Sequence, residues 1–248
     1  MNAAIWILQV FLLVSAITSN TPTVTPQNAF NTPIPILLYH SVTEEAEDDP
    51  LKISPARFEQ EMRYLRERGY HPLFFTDLPD GSGNNALPSK PVIITLDDGY
   101  EDNYTKAFPI LKRTGMKATI FAITGNVGKP NYLTWRQLRI MEASGAVDTE
   151  SHTVTHPDLT KLGAKEKADE LIKSRDTILR RLGHPSIAFA YPYGKYDQAT
   201  VEAVRSAGYR YAVTGENGYA EIGRGRLTLP RNVITSDMTL EQFRALLP

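Results

Sequence analysis

Two short stretches of the 248-residue chain carry side chains that could do chemistry together. The first is Thr95-Leu96-Asp97-Asp98-Gly99, which ends the apolar run Val92–Leu96. Adjacent carboxylates at a strand end repel, and at neutral pH they call for a cation or a proton between them. On a regular strand their side chains would point to opposite faces. Gly99 lets the chain turn, so both could reach one site in different roles. The second stretch is Ser151-His152-Thr153-Val154-Thr155-His156-Pro157, which holds two of the five histidines. Residues four apart share a helix face, but Thr, Val and the following Pro disfavour a helix here. A loop or one irregular turn would then have to bring the imidazoles together. One carboxylate and two imidazoles make a three-ligand site with positions left open for water. That donor set suits zinc, and also cobalt, nickel or iron. Such an ion lowers the pKa of its water from about 15.7 to about 7 and polarises a carbonyl, and the spare carboxylate would be the general base. Either stretch alone is a weak signal; together they point to metal-assisted hydrolysis. His71 and His184, each followed by Pro, read as surface turn residues.

The elements that must position these residues are legible around them. Apolar runs Ile34–Tyr39, Pro72–Phe75, Val92–Leu96, Ala118–Ile123, Ala188–Tyr191 and Tyr211–Thr214 read as strands covered on both faces of a parallel sheet. Between them lie helical patterns with readable ends. Ser54-Pro55 starts a helix closed by Gly69, and Thr134 caps Trp135–Ser144. Lys165–Leu182 ends at Gly183, Asp197 caps Gln198–Ala207, and Thr239–Leu247 makes a last short helix. A helix from Glu101 to Thr114 contains Pro109, which predicts a kink. Strand–helix alternation predicts an α/β fold, an open sheet or a (β/α) barrel, with reactive residues in loops at the carboxyl ends of the strands.

Three further features bound the function. With 27 Lys+Arg against 28 Asp+Glu, the chain lacks the basic excess of a general nucleic-acid binder, and no nucleic-acid partner is expected. The absence of Cys excludes disulfides, thiolate metal sites and a cysteine nucleophile. No charged side chain precedes Glu44, and Ala3 to Ile17 form an apolar run interrupted only by Gln9 and Ser15. That run is short for a membrane span of roughly 20 residues but fits the core of a secretory signal. Residues 1–18 are therefore expected to be a signal peptide or membrane anchor, 19–33 a Thr/Asn/Pro-rich linker and 34–248 one catalytic domain. Export to the periplasm, cell surface or medium follows, with membrane association through the N-terminus if that segment is retained as an anchor.

In order along the chain, Thr-Leu-Asp97-Asp98-Gly, Ser-His152-Thr-Val-Thr-His156-Pro and Tyr191-Pro192-Tyr193-Gly194 resemble the polysaccharide deacetylases of the NodB-homology type, carbohydrate esterase family four. The resemblance covers most of residues 34–235. It implies a distorted (β/α) barrel of seven to eight strands and a divalent metal used to remove acetyl groups from sugars. By position it makes Asp97 the general base and Asp98, His152 and His156 the metal ligands. Tyr193 would give its backbone N–H to the oxyanion, with Pro192 fixing the backbone there. Two positions depart from the family pattern. Ala190 stands where many members carry an Arg that orients the catalytic Asp, and Leu229-Pro230-Arg231 has Arg where many carry the acid His. Leu38-Tyr39-His40 instead matches the Leu-x-His pattern at the end of the first strand. Because the first and last strands of a closed barrel are neighbours, this looks like the circularly permuted subgroup that includes poly-N-acetylglucosamine deacetylases, with His40 as general acid. Arg231 is assigned as the partner of Asp97 in place of the missing Arg, and Tyr191, Tyr132 and Trp135 are candidate faces for sugar rings.

The expected activity is metal-dependent removal of N-acetyl groups from an N-acetylglucosamine polymer such as poly-β-1,6-N-acetylglucosamine. The alternatives are deacetylation of peptidoglycan or chitin oligomers, acetyl-xylan esterase activity, and a glycan-binding module with a weak site.

Overall fold

The computed structural model describes residues 29–45, 49–80 and 86–248. The N-terminal apolar run and most of the Thr/Asn/Pro-rich stretch lie outside the described residues. The far end of that stretch is not an extended linker. Ala29 is fully buried, and the Phe30 carbonyl accepts the Gly223 N–H at 2.7 Å, so residues 29–31 pack as part of the domain.

The fold is a distorted (β/α) barrel whose parallel strands are β1 (Ile34–Tyr39), β2 (Pro91–Asp98), β3 (Ala118–Ala122), β4 (Val147–Ser151), β5 (Ala188–Ala190), β6 (Tyr211–Val213) and β7 (Asn232–Val233). Helices α1 (Pro55–Glu67), α2 (Phe108–Thr114), α3 (Trp135–Ala143), α4 (Ala164–Leu182) and α5 (Gln198–Ser206) fill successive crossovers from β1 to β6, and α6 (Leu240–Ala245) follows β7. β1 pairs with β2 on one side and β7 on the other, and a parallel bridge from Val213 to Leu229 brings the last strands round to the first. Contact between β4 and β5 is reduced to the single pair Ser151 and Phe189, where the barrel is most distorted. No helix among the described residues is long and apolar enough to cross a membrane.

Side-chain alternation sorts the core into two compartments. Leu37, Tyr39, Ile94 and Leu96 face the surrounding helices and pack with Phe58, Met62 and Leu65 of α1. Ile36, Ile93 and Phe121 face the barrel interior, where Phe75 meets Phe121 edge-on at 5.7 Å. Thr95 and Asp97 share parity with Ile93, so the interior column leads up to Asp97.

Three expectations are corrected. The run Pro72–Phe75 is strand only at its start, where His71–Pro72 pairs with Pro91–Val92, and it turns into a 3-10 helix at Phe75–Asp77. The helix from Glu101 begins instead as a π-helical turn, Asn103–Ala107, with the Phe108 N–H on the Asn103 carbonyl, and continues as α2. Pro109 has no N–H to give to residue 105, so the preceding turn widens rather than simply kinking. β4 was not expected as a strand because Asp148, Thr149, Glu150 and Ser151 are polar. It is nevertheless buried from Thr149 onward, because Glu150 accepts from Ser186 Oγ and from the N–H groups of Ile187 (2.8 Å) and Ala188 (2.9 Å).

Candidate active site

The strand register lines up the carboxyl ends that build the site. Asp98 lies opposite Ala122, Ala122 opposite Ser151, and Ser151 opposite Phe189. Around those ends a cleft of about 390 Å³ is walled by His40, Asp97, Asp98, His152, His156, Tyr193 and Arg231, among others.

Asp97 ends the interior column and is buried. Arg231 approaches from the segment that links the Leu229 bridge to β7, and its two terminal nitrogens donate to the two Asp97 oxygens at 2.7 Å each. The same guanidinium is held by the Thr214 carbonyl (2.9 Å) and Thr95 Oγ1 (3.2 Å), and it lies over the Phe121 ring. Burial pushes the Asp97 carboxyl up, but Arg231, His152 and His40 outweigh it and hold the group down at about 2. The pair is bidentate and nearly sealed from water, the geometry in which a guanidinium fixes a carboxylate's orientation.

Asp98 leaves the strand with φ 72° and Gly99 follows at φ 78°. Two successive left-handed residues swing the Asp98 carboxylate round to the site that Asp97 also faces. His152 follows β4 directly. Its Nδ1 lies 2.8 Å from the Ala190 carbonyl, which makes that nitrogen the N–H and leaves the Nε2 lone pair for the cleft. The Thr153–His156 turn is strained, with φ 68° at Thr153 and 61° at His156. It is held by Glu170 of α4, which accepts from the N–H groups of Val154 (2.7 Å) and Thr155 (2.9 Å) and from the Thr155 hydroxyl, and by Thr153 Oγ1, which accepts the His156 N–H. Of the six described non-glycine residues with positive φ, four (Asp98, Thr153, His156 and Tyr193) belong to this site, where such strain commonly has a purpose.

The donor atoms converge. His152 Nε2 and His156 Nε2 are 3.0 Å apart, and Asp98 Oδ1 is 3.7 Å from each. Burial, reinforced by His152, drives the His156 imidazole down to about 4, so it is neutral at pH 7. A tetrahedral ion with bonds of about 2.0–2.1 Å needs donors roughly 3.3 Å apart. Two imidazole nitrogens and one carboxylate oxygen at these spacings fit a divalent ion.

His40, at the end of β1, faces the same cleft. Burial lowers its pKa, with Asp97 and Asp98 pulling it partly back up, and its buried Nδ1 has no hydrogen-bond partner among the described residues. The segment it heads is latched to the π-helical turn. The Asn103 side chain donates to the His40 carbonyl at 2.9 Å, and Asp102 accepts from the Ser41 hydroxyl (2.5 Å) and the Val42 N–H (3.1 Å).

Tyr193 adopts φ 59°, ψ 13° after Pro192, and its ring rests edge-on against His156 at 4.6 Å. Gly194 is required beside it. A Cβ there would lie 2.6 Å from the Gly215 nitrogen, so the main chain of this turn sits directly on the loop after β6. The Tyr193 main chain is thereby fixed without help from its side chain.

The ring-face candidates fare differently. Tyr191 is fully buried, its hydroxyl on the Leu227 carbonyl and its ring packed between Phe189 and Tyr196, so it offers no face to a sugar. Pro192 is buried beneath the turn. Trp135 packs against the core with Arg181 over its ring and is not part of the cleft wall. Tyr132 stacks on Tyr100 at 5.5 Å, and the Tyr100 hydroxyl is hydrogen-bonded to Asp98. Sequence reasoning missed Tyr100, Glu170 and the Asp102–Asn103 latch. The pair Asp102-Asn103, two polar residues opening a helix so soon after Asp98, was the available signal.

A family model for polysaccharide deacetylases matches residues 84–212. YxkH of Bacillus subtilis (strain 168), a polysaccharide deacetylase by name, is 34% identical over 213 residues, covering 86% of this chain and 75% of YxkH. The chain belongs to the polysaccharide deacetylase family. The poly-β-1,6-N-acetyl-D-glucosamine N-deacetylase of Escherichia coli (strain K12) is 25% identical over 250 residues; these span 83% of this chain but only 37% of that protein. Among solved structures, the Streptococcus pyogenes deacetylase PplD in complex with acetate superposes with a TM-score of 0.81 at 33% identity, over 88% of this chain and 100% of PplD.

Proposed function

We propose that this polysaccharide deacetylase is an exported, metal-dependent hydrolase that removes N-acetyl groups from an N-acetylglucosamine polymer, with poly-β-1,6-N-acetylglucosamine as the leading candidate. The observation that carries the chemistry is the juxtaposition of the Arg231-clamped Asp97 carboxylate with the Asp98, His152 and His156 donors in one cleft. The likeness to the Escherichia coli enzyme supports the polymer. Residues 34–248, with residues 29–31 packed onto them, form the catalytic domain, and the apolar residues 1–18 direct export.

Asp98, His152 and His156 would hold the ion, with zinc the best match to two imidazoles and a carboxylate. When bound, it supplies Lewis acidity that acidifies water and polarises the acetyl carbonyl. Asp97, ionised and pinned by Arg231, takes the proton of the attacking water. The Tyr193 N–H donates to the oxyanion that develops on the acetyl oxygen; one such donor is worth about 2.7–4 kcal/mol. His40 delivers a proton to the departing nitrogen. Burial lowers the His40 pKa, so the proton it delivers is replaced in the same turnover by the one Asp97 takes from water, and the imidazolium so formed is a stronger acid than that of free histidine. The products are acetate and a glucosamine unit.

Acetate release from a β-1,6-linked N-acetylglucosamine oligomer and from a chitin oligomer, by metal-stripped protein with and without zinc or cobalt, tests this reading. Metal-dependent release from the first is the expected result. Release from chitin alone would move the substrate, and no release from either by folded, metal-loaded protein would overturn the function. His40→Ala should lose about 10²–10⁴-fold in amide turnover, the usual contribution of a proton donor. It should keep its hydrolysis of p-nitrophenyl acetate, whose leaving group needs no proton. Equal losses on both substrates would remove His40 from the acid role.

A further inference from the structure

A second cavity, of about 650 Å³, opens beside the cleft and shares His40 and Leu51 with it. Its size is that of a small-molecule site, and its position continues the path a polymer would take past the reacting unit. Tyr100 forms part of its wall. The Tyr100 ring is backed by Tyr132, stacked at 5.5 Å with 22° between planes, and offers the flat apolar surface on which a pyranose ring can rest.

The charge of this groove is the informative part. Glu45, Asp49, Glu101 and Asp102 line it against two cations, Lys52 and Lys106. Lys52 already lies 4.0 Å from Asp49. Asp102 is turned inward onto Ser41, Val42 and Asn103, which leaves Glu45 and Glu101 exposed against Lys106, an excess of one carboxylate facing whatever enters. A groove evolved for a neutral acetamide chain has no use for an acidic excess. An ammonium group does, because carboxylates around a concave surface raise the local concentration of cations.

We propose that this groove binds the sugar unit next to the one being deacetylated, and that it prefers that unit as a cationic glucosamine rather than as N-acetylglucosamine. The proposal rests on the reading of the chain as an N-acetylglucosamine polymer deacetylase and adds to it a preference for partly deacetylated chains. Each turnover then creates the group the groove favours, so free amines accumulate in clusters along the polymer rather than at random.

The test uses the full metal-loaded protein and β-1,6-linked pentasaccharides, one fully acetylated and others carrying a single free amine at each position. Acetate release and mass-spectrometric mapping of the product give kcat/KM for each unit. The oligomer whose amine falls in the groove should react roughly fivefold faster than the fully acetylated one, the scale of one or two solvated ion pairs, and 1 M salt should erase the difference. The Glu45→Gln, Glu101→Gln double variant should lose the preference, its rates on the amine-bearing and the fully acetylated oligomers becoming equal. Equal rates for all isomers, or a preference untouched by salt and by the double variant, would overturn the proposal. If no pentasaccharide releases acetate, the substrate reading fails. Calorimetry with the fully deacetylated oligomer then decides the groove separately: salt-sensitive binding weakened by the double variant sustains it, and no binding refutes it.

Discussion

Among the described residues the barrel carries two groups of carboxylates and imidazoles, one at each end, and within each the candidate ligand atoms lie within 4.8 Å of one another. Asp98, His152 and His156 sit beyond the carboxyl ends of the strands. Glu142, Asp148 and His184 sit at the opposite end, where α3 finishes, β4 begins and the chain approaches β5. Both mix carboxylates with imidazole, one carboxylate to two imidazoles in the first and two to one in the second, and their physical states differ. In the first group the Ala190 carbonyl fixes the far nitrogen of His152, and burial keeps His156 neutral. In the second, His184 Nε2 lies 3.2 Å from Glu142 Oε1, and that hydrogen bond raises the imidazole to about 9. There the cation among the carboxylates is the histidine itself. Composition alone does not make a metal site; what holds the remote nitrogen, and whether the ring is charged, decides it.

The largest test of this contrast is to remove one ligand at each end. His152→Ala should weaken zinc binding by more than about 100-fold, the upper range seen for mere outer-shell partners, and abolish metal-dependent acetate release. Glu142→Gln should change neither. Loss of zinc stoichiometry in Glu142→Gln, read by competition against a chelating dye, would break the distinction between the two groups.

A smaller effect is expected at the rigid turn beside the first group. Gly194→Ala forces a Cβ to within 2.6 Å of Gly215 at φ 66°, and it should cost about 10²–10³-fold in kcat by displacing the Tyr193 N–H, the scale of one lost oxyanion donor. Tyr193→Ala removes only the exposed ring and should stay within about threefold of wild type, since surface substitutions usually perturb little. A kcat loss in Tyr193→Ala as large as in Gly194→Ala would show that the side chain, not the main chain, acts.

The smallest effect lies at the opposite end and is a stability effect with a defined sign. The folded-state value for His184 is above the ordinary 6.5, so its proton stabilises the fold. That contribution is full below about pH 6.5 and is lost as pH rises through about 9. Because the side chain is about one-third exposed, solvent screening reduces the gain to about 1 kcal/mol. His184→Ala should therefore lower stability to denaturant at pH 6 by that amount and leave it unchanged at pH 10, with acetate release unaffected. A pH-independent loss would mean that the ring acts by packing alone.

Much of the first group was legible in the chain because its chemistry is written in adjacent residues: Asp97-Asp98-Gly99 and His152 with His156. Strands such as Ile34–Tyr39 and helix starts such as Ser54-Pro55 were legible because they bury continuous apolar runs or use strong caps. Three things were not. β4 is polar and holds together through Glu150's bonds to the start of β5, a pairing 36 to 38 residues away. The Asp102–Asn103 latch depends on a π-helical turn that no periodicity announces. The burial of Tyr191 and the packing of Trp135 against the core are tertiary properties that no local pattern announces. Arg231 lay between these cases, since only the expectation of a closed barrel brought the chain's end back to Asp97.

That closure sets when the enzyme can exist. Asp97 emerges during synthesis 134 residues ahead of the guanidinium that neutralises it, and His40 earlier still. Until Arg231 arrives, the interior column ends in an unpaired carboxylate that is costly to bury, so the mouth of the barrel cannot dry and the reacting groups cannot settle. Competence is thus a property of the completed chain. A nascent or truncated product can hold the strands that carry Asp98, His152 and His156 and still lack the guanidinium that pairs with Asp97, since Arg231 lies immediately before β7.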